Sequence, residues 1–405
     1  MYSNNSRGLG NTARTLQIAA SLSKALEDCS ILVLTDLPTV GRFRLEERVD
    51  YVHLPVLNAD IQGRFQSGLN IELDGKLRMR RKIAQSAIKT FRPDVVMLDE
   101  SLFNHPPEMQ KITAYIAEEL PQAKVVWEFS DVWGAPEWVA QHWAKNGVAE
   151  VLERFGDEIY VFGARHLFDL AENYRLPECI ARKLVYTGYL ARHAAPSHRV
   201  SKNFAKLHRI LPLVMLCPGD GAGDFAMIDV YLRFLEKKAV PPCGIQSFIF
   251  ASPGIRSFEK HALALRVRKL PNVEFHRFGK NTLQYTKFAD LVICDGEYNL
   301  TSELLAHKKM ALMVPNANEQ PDNFARAHLF QKHGLVKVVQ KEEYHPLALR
   351  EMITELLFNG PRLVQKNRYK EIPFGGFANI AERIRSLVGL PVPADCRSLE
   401  VRIAS

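Results

Sequence analysis

Short apolar runs alternate along the chain with longer stretches in which apolar residues recur every three to four positions. Runs at 31–35, 49–54, 94–98, 124–129 and 157–162 read as strands in the first half. Runs at 213–217, 244–251, 273–275, 291–294 and 310–314 read as strands in the second half. Helical spacing falls between them, as in Leu16, Ala19, Ala20, Leu22 and Leu26, or in Leu77, Ile83, Ala84 and Ile88. Strand–helix alternation predicts parallel α/β sheets. The pattern restarts after a polar stretch around Pro196. The predicted organisation is a first domain over 1–195, a linker at 196–206 and a second domain over 207–372. A final helix at 373–390 returns to the first domain, and 391–405 is a tail. Residues 1–3 read as the end of a strand whose earlier part is missing, through a misassigned start codon or a shortened inner strand. The Gly-rich polar stretch 58–74 reads as a long loop.

The stretch 291–330 carries the densest candidate chemistry. Asp295-Gly296 breaks the first strand, and Asn299 or Thr301 can cap a helix bearing Leu300, Leu304 and Leu305, with Glu303 in its first turn. After the strand ending at Pro315, Asp322 can cap a second helix. Both loops would open at one edge of a parallel sheet, where ligands bind. The N–H groups of the first helix start attract a pyrophosphate. Glu303 can accept both hydroxyls of a ribose, and Asp322 and Asn323 can bond sugar hydroxyls. Each carboxylate taken singly also fits a helix-dipole role. Gly219, Asp220 and Gly221, in a glycine-rich turn after the strand at 213–217, would let backbone approach phosphates.

In the first half, strand ends carry Asp99-Glu100 and Ser130-Asp131. Asp131 ranks first as a general base, ahead of Asp99, Glu100 and His105, although a helix cap is its bland alternative. Gly8-Leu-Gly-Asn-Thr-Ala13 satisfies the dinucleotide pattern, and Asp36 ends the next strand. Four polar residues separate Ser3 from Gly8, however, whereas a dinucleotide turn follows its strand directly.

Asp295-Gly-Glu-Tyr-Asn-Leu-Thr-Ser-Glu303, the strand ending in Pro315 and Asn323-Phe-Ala-Arg-Ala resemble the donor signature of GT-B glycosyltransferases. The branch is that related to the N-acetylglucosamine transferase of peptidoglycan synthesis. Phe168-Asp-Leu-Ala-Glu-Asn-Tyr-Arg-Leu-Pro and Val185-Tyr-Thr-Gly-Tyr-Leu resemble it too, so the likeness covers most of the chain from Ser3 to about Val339. It implies two doubly wound Rossmann-like domains facing a cleft. The donor residues it implies are Gly219, Asp220, Gly221, Phe278, Gly296, Glu297, Asn299, Leu300, Thr301, Glu303, Asp322, Asn323 and Arg326. Phe278 lies in the loop that would hold the nucleobase. Arg7, Gly8 and Gly10 would form the acceptor-side loop. Three positions depart from the pattern: Asn11 replaces a histidine, Asn323 a glutamine and Glu297 a glycine. A neutral amide cannot remove a proton, so the base lies away from Asn11 or the acceptor needs none.

The resemblance implies transfer, with inversion, from a nucleoside diphosphate sugar, UDP-sugar favoured, to an unidentified small-molecule, lipid-linked or polysaccharide acceptor. No cofactor or metal is expected, since no DxD motif or His/Cys cluster occurs; Arg326 or Arg7 would steady the leaving diphosphate. The alternatives are a nucleotide-sugar epimerase or hydrolase, a non-catalytic sugar-nucleotide binder, and an NAD(P)-dependent oxidoreductase centred on Gly8 to Ala13.

Composition narrows the field further. The 405 residues carry a net charge of +8, compatible with an anionic ligand or with peripheral contact to an acidic membrane surface. The basic run Arg78, Arg80, Arg81 and Lys82 reads as a solvated helix face, and no motif supports nucleic-acid binding. No run is long enough to span a bilayer, and six scattered cysteines without a CxxC suggest reduced thiols and a cytoplasmic protein.

Overall fold

The computed structural model describes residues 1–4, 10–59, 65–67, 69–104, 106–191, 211–219, 224–237, 244–251, 255–277, 282–316, 320–363 and 366–391. Two compact units result. The first comprises Met1–Ser130, Ala140–Tyr189 and Gly375–Ser405, the second Asp131–Val139 and Leu190–Phe374.

The first unit is built on β1 (Tyr2–Ser3), β2 (Ile31–Thr35) and β3 (Val49–His53), with a small hairpin of β4 (Asn58–Ala59) and β5 (Phe65–Gln66). It continues with β6 (Val95–Asp99), β7 (Lys124–Ser130), β8 (Glu158–Phe162) and β9 (Leu184–Tyr186). The main sheet is parallel, in the order β3-β2-β1-β6-β7-β8-β9. Helices α1 (Gly10–Ala25), α2 (Leu73–Phe91), α3 (Pro106–Glu119), α4 (Pro136–Asn146), α5 (Val148–Phe155), α6 (Leu170–Asn173) and α7 (Glu178–Ala181) connect the strands.

Successive residues of a strand face opposite sides. Tyr2 therefore donates from one face to Glu108 of α3 at 2.6 Å. On that face Arg80 of α2, fully buried, donates to Glu108, Asp36 and Asn4. This corrects the reading of the basic run as wholly solvated: Arg80 is the residue of that run whose helical position points it inward. It also engages Asp36, the acid that a dinucleotide site would need for its ribose.

β1 has two residues between two five-residue strands, and Tyr2 pairs with Leu34 and Leu98 near their C-terminal ends. Beyond Met1 a cavity of about 990 Å³ opens, lined by Leu26, Ile31, Ile88, Val95 and Val388 among others.

The second unit holds β10 (Leu213–Cys217), β11 (Gln246–Ala251), β12 (Val273–Arg277), β13 (Leu291–Cys294), β14 (Met310–Met313) and β15 (Lys337–Val338). Its order is β12-β11-β10-β13-β14-β15, again parallel. Its helices are α8 (Asp224–Glu236), α9 (Ser257–Val267), α10 (Thr282–Tyr285), α11 (Tyr298–Ala306), α12 (Pro321–Lys332) and α13 (Pro346–Leu363). The core gathers Leu216, Ile228, Ile249, Ile293, Leu312 and Ile353, all fully buried.

The last helix, α14 (Gly376–Leu387), belongs to the first unit. Arg383 bonds Glu158 at 3.0 Å, Asn379 donates to the Thr187 carbonyl at 2.7 Å, and Arg385 reaches the Ala25 carbonyl. Among the described residues, no helix is long and apolar enough to cross a membrane. The predicted linker, the tail beyond Pro391, and Arg7, Gly8, His105, Asp220, Gly221 and Phe278 lie outside the described residues.

Candidate functional site

In the second unit, β10 and β13 are register neighbours, with Cys217 opposite Cys294. Their loops therefore leave the sheet side by side. Gly219 has φ of +97°, and a Cβ there would lie 2.2 Å from Asp295 Oδ2. Gly296 has φ of +94°, and its Cβ would meet the Asn323 carbonyl at 3.0 Å. Both turns need glycine for conformation and for space.

Asp295 organises the loop. It accepts from the Glu297 amide at 3.1 Å and from Asn323 Nδ2 at 3.0 Å. Glu297, and neither Asn299 nor Thr301, caps α11: its carboxylate accepts from the Leu300 amide at 3.0 Å and from Asn299 Nδ2 at 2.7 Å. The helix thus starts earlier than either expected cap would allow, and Glu303 falls in its second turn. Glu303 is 4% exposed, with His307 Nε2 3.6 Å from its carboxylate. Burial lowers the His307 pKa, and Glu303 only partly opposes this. Thr301 is buried, and its hydroxyl has no hydrogen-bond partner among the described residues.

The second loop differs from expectation in the same way. Gln320, without a side-chain cap bond, precedes α12, and Asp322 lies in the first turn with its side chain 44% exposed. Asn323 is buried and donates to Asp295 and Gln320 while accepting from Arg326 at 3.1 Å. Arg326 is fully buried and donates to Asp131 at 2.7 Å, to the Gly296 and Val132 carbonyls and to Asn323. Burial would lower its pKa, but Asp131 and then Asp322 outweigh that and raise it. Arg326 therefore holds 131–132, Gly296 and Asn323 together, and a guanidinium so placed does not fit the expected role of a cation presented to a diphosphate. Asp131, 2% exposed and ion-paired, is likewise a poor fit to the unencumbered base ranked first from sequence.

The first unit carries a different arrangement. Ser3 pairs with Thr35, Asp99 with Glu128, and Glu128 with Tyr160, and Tyr2 pairs with Leu98. Thr35, Ser3, Asp99, Glu128 and Tyr160 thus form one buried polar row across five adjacent strands. Helix α1, whose first two residues are Gly10 and Asn11, brings Thr12 to Thr35 at 3.1 Å and Arg14 to Asp99 at 2.9 Å and Glu100 at 3.3 Å.

Glu100 accepts from the Ser130 amide at 3.2 Å, and its side chain is 20% exposed. Its pKa is raised to about 7 by burial and by Asp99, against Arg14 and Ser130. Glu128 is buried, neither of its oxygens has a hydrogen-bond partner among the described residues, and its pKa is pushed up to about 8 by burial and then by Asp99. Sequence reasoning missed Arg14 and Glu128. The available signal was a charge inside the apolar run at 124–130. Among the described residues, no group of three His, Cys, Asp or Glu could hold a metal ion.

Residues 235–384 match the family described as Glycosyltransferase family 28 C-terminal domain. A UDP-glucosyltransferase from Polygonum tinctorium capable of glucosylating indoxyl is similar in structure, with TM-score 0.66 and 13% identity over 96% of this chain and 98% of that one. CalG4, the calicheamicin glycosyltransferase, matches with TM-score 0.62 and 14% identity over 97% and 98%. A putative UDP-N-acetylglucosamine 2-epimerase from Listeria monocytogenes matches with TM-score 0.61 and 10% identity over 99% and 97%. No curated protein matches the sequence.

Proposed function

We propose that this chain, with its match to the glycosyltransferase family 28 C-terminal domain over 235–384 and its GT-B fold, is a glycosyltransferase that moves a sugar from a nucleoside diphosphate sugar, UDP-sugar favoured, to an acceptor hydroxyl. The observation that carries the donor assignment is the joined loop of the second unit: Gly219 and Gly296 in left-handed turns, with buried Glu303 one turn beyond the start of α11. Backbone at the two glycines approaches the diphosphate, and Glu303 accepts the ribose hydroxyls. Asn299, Leu300 and Thr301 line the helix start. Asp322 is the exposed acid for the sugar, and Asn323 and Arg326 hold the loop in place. No cofactor or metal is invoked.

For the base, Glu100 replaces Asp131. A general base works best with a pKa near the operating pH, and Glu100 combines such a value with partial exposure and a carboxylate held by Arg14 and Ser130. It takes the proton of the acceptor hydroxyl as that oxygen attacks the anomeric carbon. The bond to the diphosphate breaks in the same displacement, so the configuration inverts. The helix dipole of α11 favours the departing negative charge.

The test is calorimetry with UDP, dTDP, GDP, NADH and NADPH, followed by donor turnover with and without acceptors. Stabilisation by UDP that is lost in Glu303→Ala is the expected result. A response only to NADH or NADPH would overturn it, and donor consumption without any acceptor would favour an epimerase or hydrolase.

A further inference from the structure

The start of α11, on which the donor reading rests, already holds an anion: the protein's own Glu297 carboxylate. One oxygen accepts from the Leu300 amide and the other from Asn299 Nδ2. The Glu297 side chain is only partly buried, so it has room to leave. Asp295 binds the Glu297 amide, and its Oδ2 lies against Gly219, so a second carboxylate stands at the same loop. Arg326, the buried cation here, already faces Asp131 and Asp322. A diphosphate arriving at these N–H groups would meet like charge and an occupied donor.

We infer that Glu297 is an internal competitor of the donor diphosphate. It holds the helix start when the site is empty and must leave the Leu300 amide before the phosphates take it. It thereby weakens binding of the phosphates in particular, and of the free nucleoside diphosphate above all, because that product carries one more ionisable oxygen than its sugar ester. On this reading Glu297 sets charge selectivity and hastens product departure. Glu303, on the next turn, contributes nucleoside affinity independently of phosphate charge.

The experiment is calorimetric titration of UDP and of uridine into wild type, Glu297→Gln, Glu297→Gly and Glu303→Ala. Glu297→Gln keeps an oxygen for the Leu300 amide while removing the charge and the second acceptor that Asn299 Nδ2 meets, so it remains informative if the glycine variant fails to fold. The expected result is about tenfold tighter UDP binding in both Glu297 variants, with uridine unmoved. UDP binding that depends on Glu303 but is unchanged or weaker in the Glu297 variants overturns this inference alone. An equal gain for uridine overturns the charge argument. Absence of UDP binding in every form overturns the donor reading, and this inference with it.

Discussion

Both units place acids at the C-terminal ends of parallel strands beside one buried arginine, yet the two arrangements do different things. In the second unit Arg326 meets Asp131, two carbonyls and Asn323, and the neighbouring acids accept backbone N–H groups. Each of these acids meets a hydrogen-bond donor, and the outcome is a fixed loop shape. In the first unit Arg14 serves Asp99 and Glu100, while Glu128 sits beside them without a hydrogen bond among the described residues. One guanidinium among three acids leaves protons on carboxyls near neutral pH. The same ingredients give a scaffold where each acid meets a hydrogen-bond donor and a proton-handling site where one does not.

The largest expected effect tests the second half of that contrast. Glu100→Gln should lower transfer about 10²–10⁴-fold while donor affinity stays unchanged. The rising limb of the pH–rate profile near pH 7 should vanish with it, since wild-type activity requires Glu100 ionised and grows as pH passes its pKa. Retained activity would return the role to Asp131.

Arg326→Ala should destabilise the second unit by about 3–5 kcal/mol, because it leaves Asp131 buried without its partner. Urea unfolding followed by circular dichroism reads this, and a change below about 1 kcal/mol would mean that the Asp131–Arg326 pair does not hold the loop as described.

Glu128 gives a pH signature of stability. Its folded pKa of about 8 lies above the ordinary value of 4.5, so the folded state binds more protons between those values. Stability is fully present below about pH 4.5 and is lost as pH rises through about 8, by roughly 2–5 kcal/mol in total. Glu100 acts in the same direction. Glu128→Gln should flatten the slope of unfolding free energy between pH 5 and 9, and an unaltered slope would place the titration elsewhere.

The smallest effect sharpens the binding side. Glu303→Ala should weaken nucleotide binding by about 1.5–3 kcal/mol, as for a lost charged hydrogen bond, measured calorimetrically. Unchanged affinity in a folded variant removes Glu303 from the donor site.

The strands were legible because a strand buried on both faces must be a short apolar run, and 213–217 or 291–294 permits little else. The start of α11 is not legible in the sequence because Asn299 and Thr301 are better caps by propensity than Glu297, and local propensity does not register the Asp295 contact that sets the turn. The Asp131–Arg326 pair spans 195 positions, so no spacing rule reaches it. Glu128 is not legible in the sequence because a single charge leaves an apolar run intact, and only strand register reveals that it stands beside Asp99. Gly219 and Gly296 are legible as turn glycines from their place directly after strands, but the close approach of Asp295 to the one and of Asn323 to the other is long-range and leaves no local signal.

The Asp131–Arg326 tie has a consequence for the order in which the loop takes shape. Its two ends lie 195 positions apart, so the turn at Gly296 is completed only after a long span of chain has closed. Amide exchange at Leu300 should therefore follow the opening of that distant pair rather than local fraying of α11. The loop keeps its geometry by reach and not by its own turns.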